Sequence, residues 1–361
     1  MRKLRYIGTV LFLLLAFLCE ARGQEEAELP GKEQQVDVNE IVFGHIGDSY
    51  EWHITDIGET PIVIPLPVIV KSSSTGWHVF LSSKLEEGAY EGLYIAKEGE
   101  YKGKIVERNA EGKEVRPWDI SITKDVTGLI INSLLLVVLI LSCARWYRKH
   151  SPEEEAPKGM VGMIEACILA INDDVIKGCV GKDYRRYAPY LLTVFFFILI
   201  NNLMGLIPLF PGGANITGNI AITFVLAVCT FLAVNVWGNK EYWKDILWPE
   251  VPWWLKVPFP MMPIIELFGI FTKPFALMIR LFANIMAGHA AILSLLSIIF
   301  ITAKMGAVIN GSMSFVAVAF GIFMTALEIL VAFIQAYVFT MLSAVFIGLS
   351  RVEAAHTKEK K

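Results

Sequence analysis

Residues 264–351 are two apolar stretches broken only by the polar turn 304–311. Each arm is about 40 residues long, or about 57 Å as helix, against a hydrocarbon core of about 30 Å. Arms of that length cannot stand upright in a bilayer, so the sequence predicts a strongly tilted helical hairpin. Pro274 and Gly269 are placed to bend its first arm. Within these apolar arms sit Glu266, Arg280, Asn284, His289, Glu328 and Gln335. Such side chains are costly at membrane depth, and they face a water-filled path or a partner.

Folding the hairpin about residue 308 places Arg280 level with Gln335, and His289 level with Glu328. The second level then lies roughly 10–14 Å nearer the turn. Glu266 falls at the far end. This order points to a mechanism. A guanidinium stays protonated in proteins and cannot relay protons, whereas an imidazole and a carboxyl can. A fixed cation between titratable ends blocks direct leakage of protons. No acidic residue of the chain is level with Arg280, so the reading requires a counter-charge from another subunit.

Composition agrees with a membrane protein. Of 361 residues, 55% are hydrophobic and 19% charged, and the net charge of −3 argues against a nucleic-acid partner. Residues 1–23 read as a signal peptide: Arg2, Lys3 and Arg5 precede an apolar run, and small residues follow at 21–23. Residues 24–125 read as an exported, periplasmic, β-rich domain, acidic and flexible at its start. Its strands are expected in the apolar runs 62–70, 77–81 and 119–122. The spacing of His45, His53 and His78 fits no zinc pattern, and the five cysteines form no CxxC pair. No metal or cofactor is expected.

Residues 126–351 form the membrane domain and 352–361 a cytoplasmic tail. Spans are expected at 128–144, 190–207 and 219–237, before the two hairpin arms. Residues 160–180 carry an amphipathic pattern, read as a helix lying on the membrane or against a partner. Lysine and arginine at 145–149, 182–186, 240–256 and 351–361 all fall on one side if the N-terminus is outside and the C-terminus inside. Several tryptophans at 237–254 form an interfacial belt on that side. The fold class is therefore an all-α polytopic membrane protein of five transmembrane spans, including the long tilted hairpin, plus a small β-rich exported N-terminal domain.

The string Glu266 … Lys273-Pro274 … Arg280-Leu281-Phe282-Ala283-Asn284-Ile285-Met286-Ala287-Gly288-His289 closely resembles subunit a of F-type ATP synthases. So do Glu328 … Ile334-Gln335-Ala336-Tyr337-Val338-Phe339 and the earlier Asn201-Asn202-Leu203-Met204-Gly205. The resemblance covers about residues 126–350. It implies a proton-translocating stator subunit in a bacterial inner membrane, packed on a rotating ring of c subunits and held by subunit b of the peripheral stalk, with the remaining ATP synthase subunits and membrane lipid as further partners. It implies that Arg280 gates the ring's carboxylate. Asn284, His289, Glu328 and Gln335 would line the half-channel from outside, and Glu266 would mark the one to the cytoplasm. Some members carry an acid at the position of His289 and a histidine at that of Glu328. Ala276 takes a position that is often hydroxylic in relatives.

Blander readings accompany each residue. His289 and Gln335 alone would suit helix packing, and Glu266 would suit a solvated helix end. Ala276, Arg280, Ala283, Ala287 and Ala291 share one helical face, and Ala317, Gly321, Thr325, Glu328, Ala332 and Gln335 share another. These faces suit either a sliding wall or packing of the two arms. An ion-coupled secondary transporter would show repeated spans, and none is evident. A receptor with an exported ligand-binding domain would leave the buried polar residues without a task. The sequence holds no G-x-x-x-x-G-K-[ST], so nucleotide chemistry is expected on other subunits.

Overall fold

The computed structural model describes residues 47–351 apart from 58–59, 74, 87, 97, 110–111, 151–155, 208–209 and 248–260. The signal-peptide reading, the acidic segment, His45, most of the tryptophan belt and the tail lie outside the described residues.

Among the described residues eight short strands, with a single helical turn at Ser83–Glu86 between the fourth and fifth, precede the long helices. β1 (Glu51–Ile57) and β2 (Thr60–Pro65) form an antiparallel pair. β3 (Pro67–Ser72), β4 (Gly76–Leu81) and β8 (Trp118–Asp119) form a sheet ordered β4-β3-β8. β5 (Leu93–Ile95), β6 (Ile105–Arg108) and β7 (Glu114–Val115) form another, ordered β5-β6-β7. The apolar run expected as one strand at 62–70 divides at Leu66, between Pro65 and Pro67, and its halves serve different sheets. Proline brings no N–H to a ladder, so a strand changes partners readily there. Val68, Val70, Leu93 and Ile105 are fully enclosed between the sheets. Burial raises the Glu107 carboxyl, but hydrogen bonds from Ser72 and Ser73 outweigh it and hold the group below the usual carboxylate range.

The helical part begins with α1 (Lys124–Lys149), longer than the expected span at both ends. α2 (Met160–Ala170) passes through a π-helical stretch, Ile171–Ile176, into the short turn Lys177–Val180. The π stretch turns Ile171, Val175 and Ile176 inward, so the amphipathic segment packs on its own chain. α3 (Tyr184–Gly205) carries the next apolar run, with Leu191, Phe195 and Ile198 fully buried. α4 (Ile220–Val236) starts at Asn219, whose side-chain oxygen accepts the Ala221 N–H at 3.1 Å as an N-cap. α5 (Lys240–Leu247) leaves α4 at 99°. α6 (Met261–Thr302) and α7 (Ala307–Leu349) are the hairpin.

Among the described residues four helical stretches are long and apolar enough to cross a membrane, or five with the bent α4–α5 pair counted as one span. The chain is a multi-pass membrane protein. Its hairpin turn is tighter than the sequence suggested. A 3-10 turn, Ala303–Met305, and Gly306 at φ +99 reverse the chain, and Ala307 already starts α7. Asn310, expected in the turn, lies inside α7 and accepts from the Thr302 hydroxyl at 3.0 Å.

Both ends of the bundle are tied. At one, Arg351 contacts Asp183 at 2.5 Å and donates to the Trp237 carbonyl at 3.0 Å and Asn239 Oδ1 at 2.9 Å. At the other, the 3-10 turn Ile216–Gly218 is buried, and Ile216 clusters with Ala214 and Trp52 of β1. Gly128 of α1 lies so near that turn that a Cβ there would meet the Ala214 Cβ at 2.6 Å.

Candidate functional site

α6 has two unlike sides. Leu277, Leu281 and Ile285, spaced by one turn, are buried in the core. Ala276, Arg280, Ala283 and Ala287 are exposed. Among the described residues the Arg280 guanidinium has no hydrogen-bond or ion-pair partner.

Along the flank between these sides, α6 and α7 exchange polar contacts. His289 Nδ1 stands 3.1 Å from Glu328 Oε1, and Glu328 is only 5% exposed. Asn284 Nδ2 donates to Gln335 Oε1 at 2.9 Å, with Gln335 buried. Gly288 makes the first contact possible, because a Cβ there would lie 2.7 Å from Glu328 Oε1. Neither Glu328 oxygen accepts a well-directed hydrogen bond among the described residues, and Gln335 Nε2 is likewise unmatched. Buried polar atoms are rarely left so, and the geometry suits water molecules along this seam.

His289 and Glu328 meet as the equal-depth pairing expects. Gln335 does not fall level with Arg280. Its partner is Asn284, one helical turn nearer the hairpin bend. The reason is stagger. Counted from the observed turn at 303–306, every contact lies farther along α7 than along α6. The start of α7 meets the end of α6 through Asn310 and Thr302, while Val308 and Phe315 stay 83% and 77% exposed.

Behind Glu328 lies a buried polar lattice that sequence reasoning did not single out. Asn202 of α3 donates to the Ala332 carbonyl of α7 at 3.3 Å and accepts from the Thr217 hydroxyl at 2.6 Å. Asn132 of α1 donates to Asn201 Oδ1 at 3.0 Å. The available signal was two adjacent asparagines in an otherwise apolar run.

Glu266 shares none of these contacts. It is half-buried near the start of α6, where its charge reaches Tyr242 of α5. The Tyr242 hydroxyl donates to Asn235 Oδ1 at 3.2 Å beside a small cavity lined by Thr230, Ile270, Lys273 and Phe346.

The family model described as ATP synthase A chain matches residues 129–348, a span that contains every one of these hairpin residues. The chain belongs to the ATP synthase A chain family. ATP synthase subunit a 2 of Chlorobaculum tepidum is 46% identical over 242 residues, 66% of this chain and 65% of that protein. ATP synthase subunit a of Chloroherpeton thalassium is 41% identical over 253 residues, 68% and 71% of the two chains. That of Myxococcus xanthus is 38% identical over 246 residues, 66% and 75%. Residues 41–120, the β-rich part, match a separate family model described as a domain of unknown function. The ATP synthase A chain match thus begins within α1 and ends at the close of α7.

Proposed function

We propose that this chain is the proton-translocating stator subunit of an F-type ATP synthase, with two offset half-channels meeting the ring of c subunits at Arg280. The observation that carries this reading is a bare guanidinium on an exposed face of small residues. A buried-length helix does not present such a cation to hydrocarbon, so a second protein surface bearing a carboxylate belongs there. At about 4 Å and an effective dielectric of about 20, the attraction is about 4 kcal/mol, close to a thousandfold in favour of the ionised carboxylate. A ring carboxyl arriving at Arg280 therefore gives up its proton. Alanines at 276, 283 and 287 let the ring helix approach and slide past.

His289 and Glu328, with Asn284 and Gln335, form the half-channel from outside. An imidazole and a carboxyl in contact can pass a proton between them as neighbouring waters deliver and remove it. Glu266, with the cavity beside Tyr242 and Lys273, forms the half-channel to the cytoplasm. Arg280 keeps the two apart because it holds its proton throughout. In this reading residues 1–23 are a signal peptide and the β-rich region is periplasmic. The C-terminus is cytoplasmic, and the peripheral stalk with subunit b holds the chain against rotation. Nucleotide chemistry takes place on other subunits.

The test is Arg280→Ala in membrane vesicles carrying the assembled complex. ATP synthesis driven by a proton gradient and ATP-driven pumping are expected to disappear, while the amount of assembled complex is unchanged. Coupled synthesis at the normal rate in that variant would remove the proposed gate.

A further inference from the structure

A second carboxyl group lies at the opposite end of the polar lattice from Glu328, just before the residues matched by the ATP synthase A chain model. Asp125, in the first turn of α1, is 4% exposed. Its Oδ2 accepts from Asn219 Nδ2 at 2.8 Å. Its Oδ1 is buried without a hydrogen bond among the described residues. Its backbone N–H donates to Asp48 Oδ1 at 3.1 Å. Thr123, the N-cap of α1, contributes no side-chain hydrogen bond, so Asp48 supplies the capping acceptor from the segment leading into β1. The charged groups facing the Asp125 carboxyl are Asp48, Lys124 and Lys104. Lys124 also faces His289.

From Asp125 the polar groups continue inward. Asn219 caps α4, and Thr217, in the buried turn just before it, donates to Asn202 at 2.6 Å. Asn202 reaches the Ala332 carbonyl at 3.3 Å, one helical turn along α7 from Glu328. On the other side, a Cβ at Gly205 would stand 3.6 Å from His289 Nε2. Polar groups of α1, of the 216–219 connection, of α3 and of the α7 backbone are thus spaced from the β-rich end to within one helical turn of Glu328. An unmatched carboxyl oxygen at the mouth of such a run calls for water or a proton.

We propose that Asp125 is the outermost proton-exchanging group of the path to His289 and Glu328, and that Asp48 tunes it from the β-rich region. The proposal rests on the half-channel reading above. It also makes the N-terminal region part of the conduction path, joined to it through one carboxylate. A purely mechanical alternative is that Asp125 only locks α1 to α4. Asp125→Asn separates the two, because its amide oxygen still accepts from Asn219 but takes up no proton.

The experiment measures ATP synthesis in vesicles of the assembled complex against pH on the side bearing the β-rich region. With Asp125→Asn, the rate is expected to fall by about a hundredfold, the low end for loss of one proton-transfer group. Its dependence on that pH flattens, and Asp125→Glu restores both. Asp48→Asn is expected to shift the profile along the pH axis while keeping its maximum. Wild-type rate and profile in an assembled Asp125→Asn complex would overturn the proposal. If Asp125→Asn does not assemble, Asp48→Asn decides, and a profile superimposable on wild type overturns it. Arg280→Ala is run in parallel. Synthesis surviving there sinks the underlying reading, whereas an inactive Arg280→Ala beside an unaffected Asp125→Asn sinks only the role of Asp125.

Discussion

The two arms of the hairpin carry the same kind of small-residue stripe and put it to opposite uses. On α7, Ala317, Ala332, Ala336 and Ala344 are almost wholly buried, under α6, α3 and the short helix before it. Gly348 comes so near the Cys179 carbonyl that a Cβ would meet its oxygen at 2.0 Å. On α6, Ala276, Ala283 and Ala287 remain uncovered around Arg280. Helices in lipid associate by close van der Waals approach, so a stripe of small residues signals contact without naming the partner. The polar residues name it. Glu328 and Gln335 find His289 and Asn284 within the chain, whereas Arg280 finds no partner among the described residues.

The widest break in this comparison comes from adding bulk to each stripe. Ala332 is 1% exposed, and leucine there overpacks the α3–α7 contact at a cost of about 1–3 kcal/mol. Ala332→Leu is expected to lower the amount of assembled complex in membranes and its melting temperature. Ala283→Leu should leave both near wild type, yet remove most ATP-driven pumping, because the leucine stands in the way of the sliding partner. Quantifying complex on native gels beside pumping assays checks the pair. Equal assembly defects in both variants would show that the α6 stripe is not an open face.

How much of this the sequence disclosed follows from what hydropathy encodes. Apolar length gave the two arms, and the polar intrusions gave all the side chains of the seam. It did not give the azimuth of each stripe, since small residues look alike whether covered or bare. The His289–Glu328 contact was reached by symmetric folding about 308, a point a few residues past the real turn. That offset absorbed part of the stagger for one pair but left Gln335 assigned one turn too far along α6. The Asn202–Thr217 and Asp48–Asp125 contacts join residues far apart in sequence, or belong to a connection that reads as an uncharged loop. No local period marks them.

Gly288 offers a finer probe, because the Glu328 carboxyl fills the space a side chain there would take. Gly288→Ala places a methyl group 2.7 Å from Glu328 Oε1, so the carboxylate must move away from His289. The helix itself gains slightly from alanine. Assembly should therefore be normal or improved, while proton conduction falls several-fold. Combining Gly288→Ala with Glu328→Asp, whose shorter side chain withdraws from the methyl, should recover part of the loss, a coupling read from the double-mutant cycle. Unchanged conduction in Gly288→Ala would mean that the His289–Glu328 spacing does not limit transfer.

The smallest effect separates two residues that share one hydrogen bond. Asn284 is exposed and Gln335 is 3% exposed. Removing the buried partner, Gln335→Ala, leaves Asn284 with an amide that can still meet water or the ring. Removing the exposed one, Asn284→Ala, strands Gln335 Oε1 in the interior, and an unmatched buried acceptor costs about 1–3 kcal/mol. Interhelical hydrogen bonds within membranes are individually worth about 0.6 kcal/mol, so the bond itself contributes the lesser share. Asn284→Ala is therefore expected to destabilise the complex slightly more than Gln335→Ala, despite truncating the more accessible side chain. Thermal unfolding of the two variants side by side in one detergent checks the order. The opposite order would mean that Gln335 Oε1 finds another donor, with the cavity left by Gln335→Ala setting the larger cost.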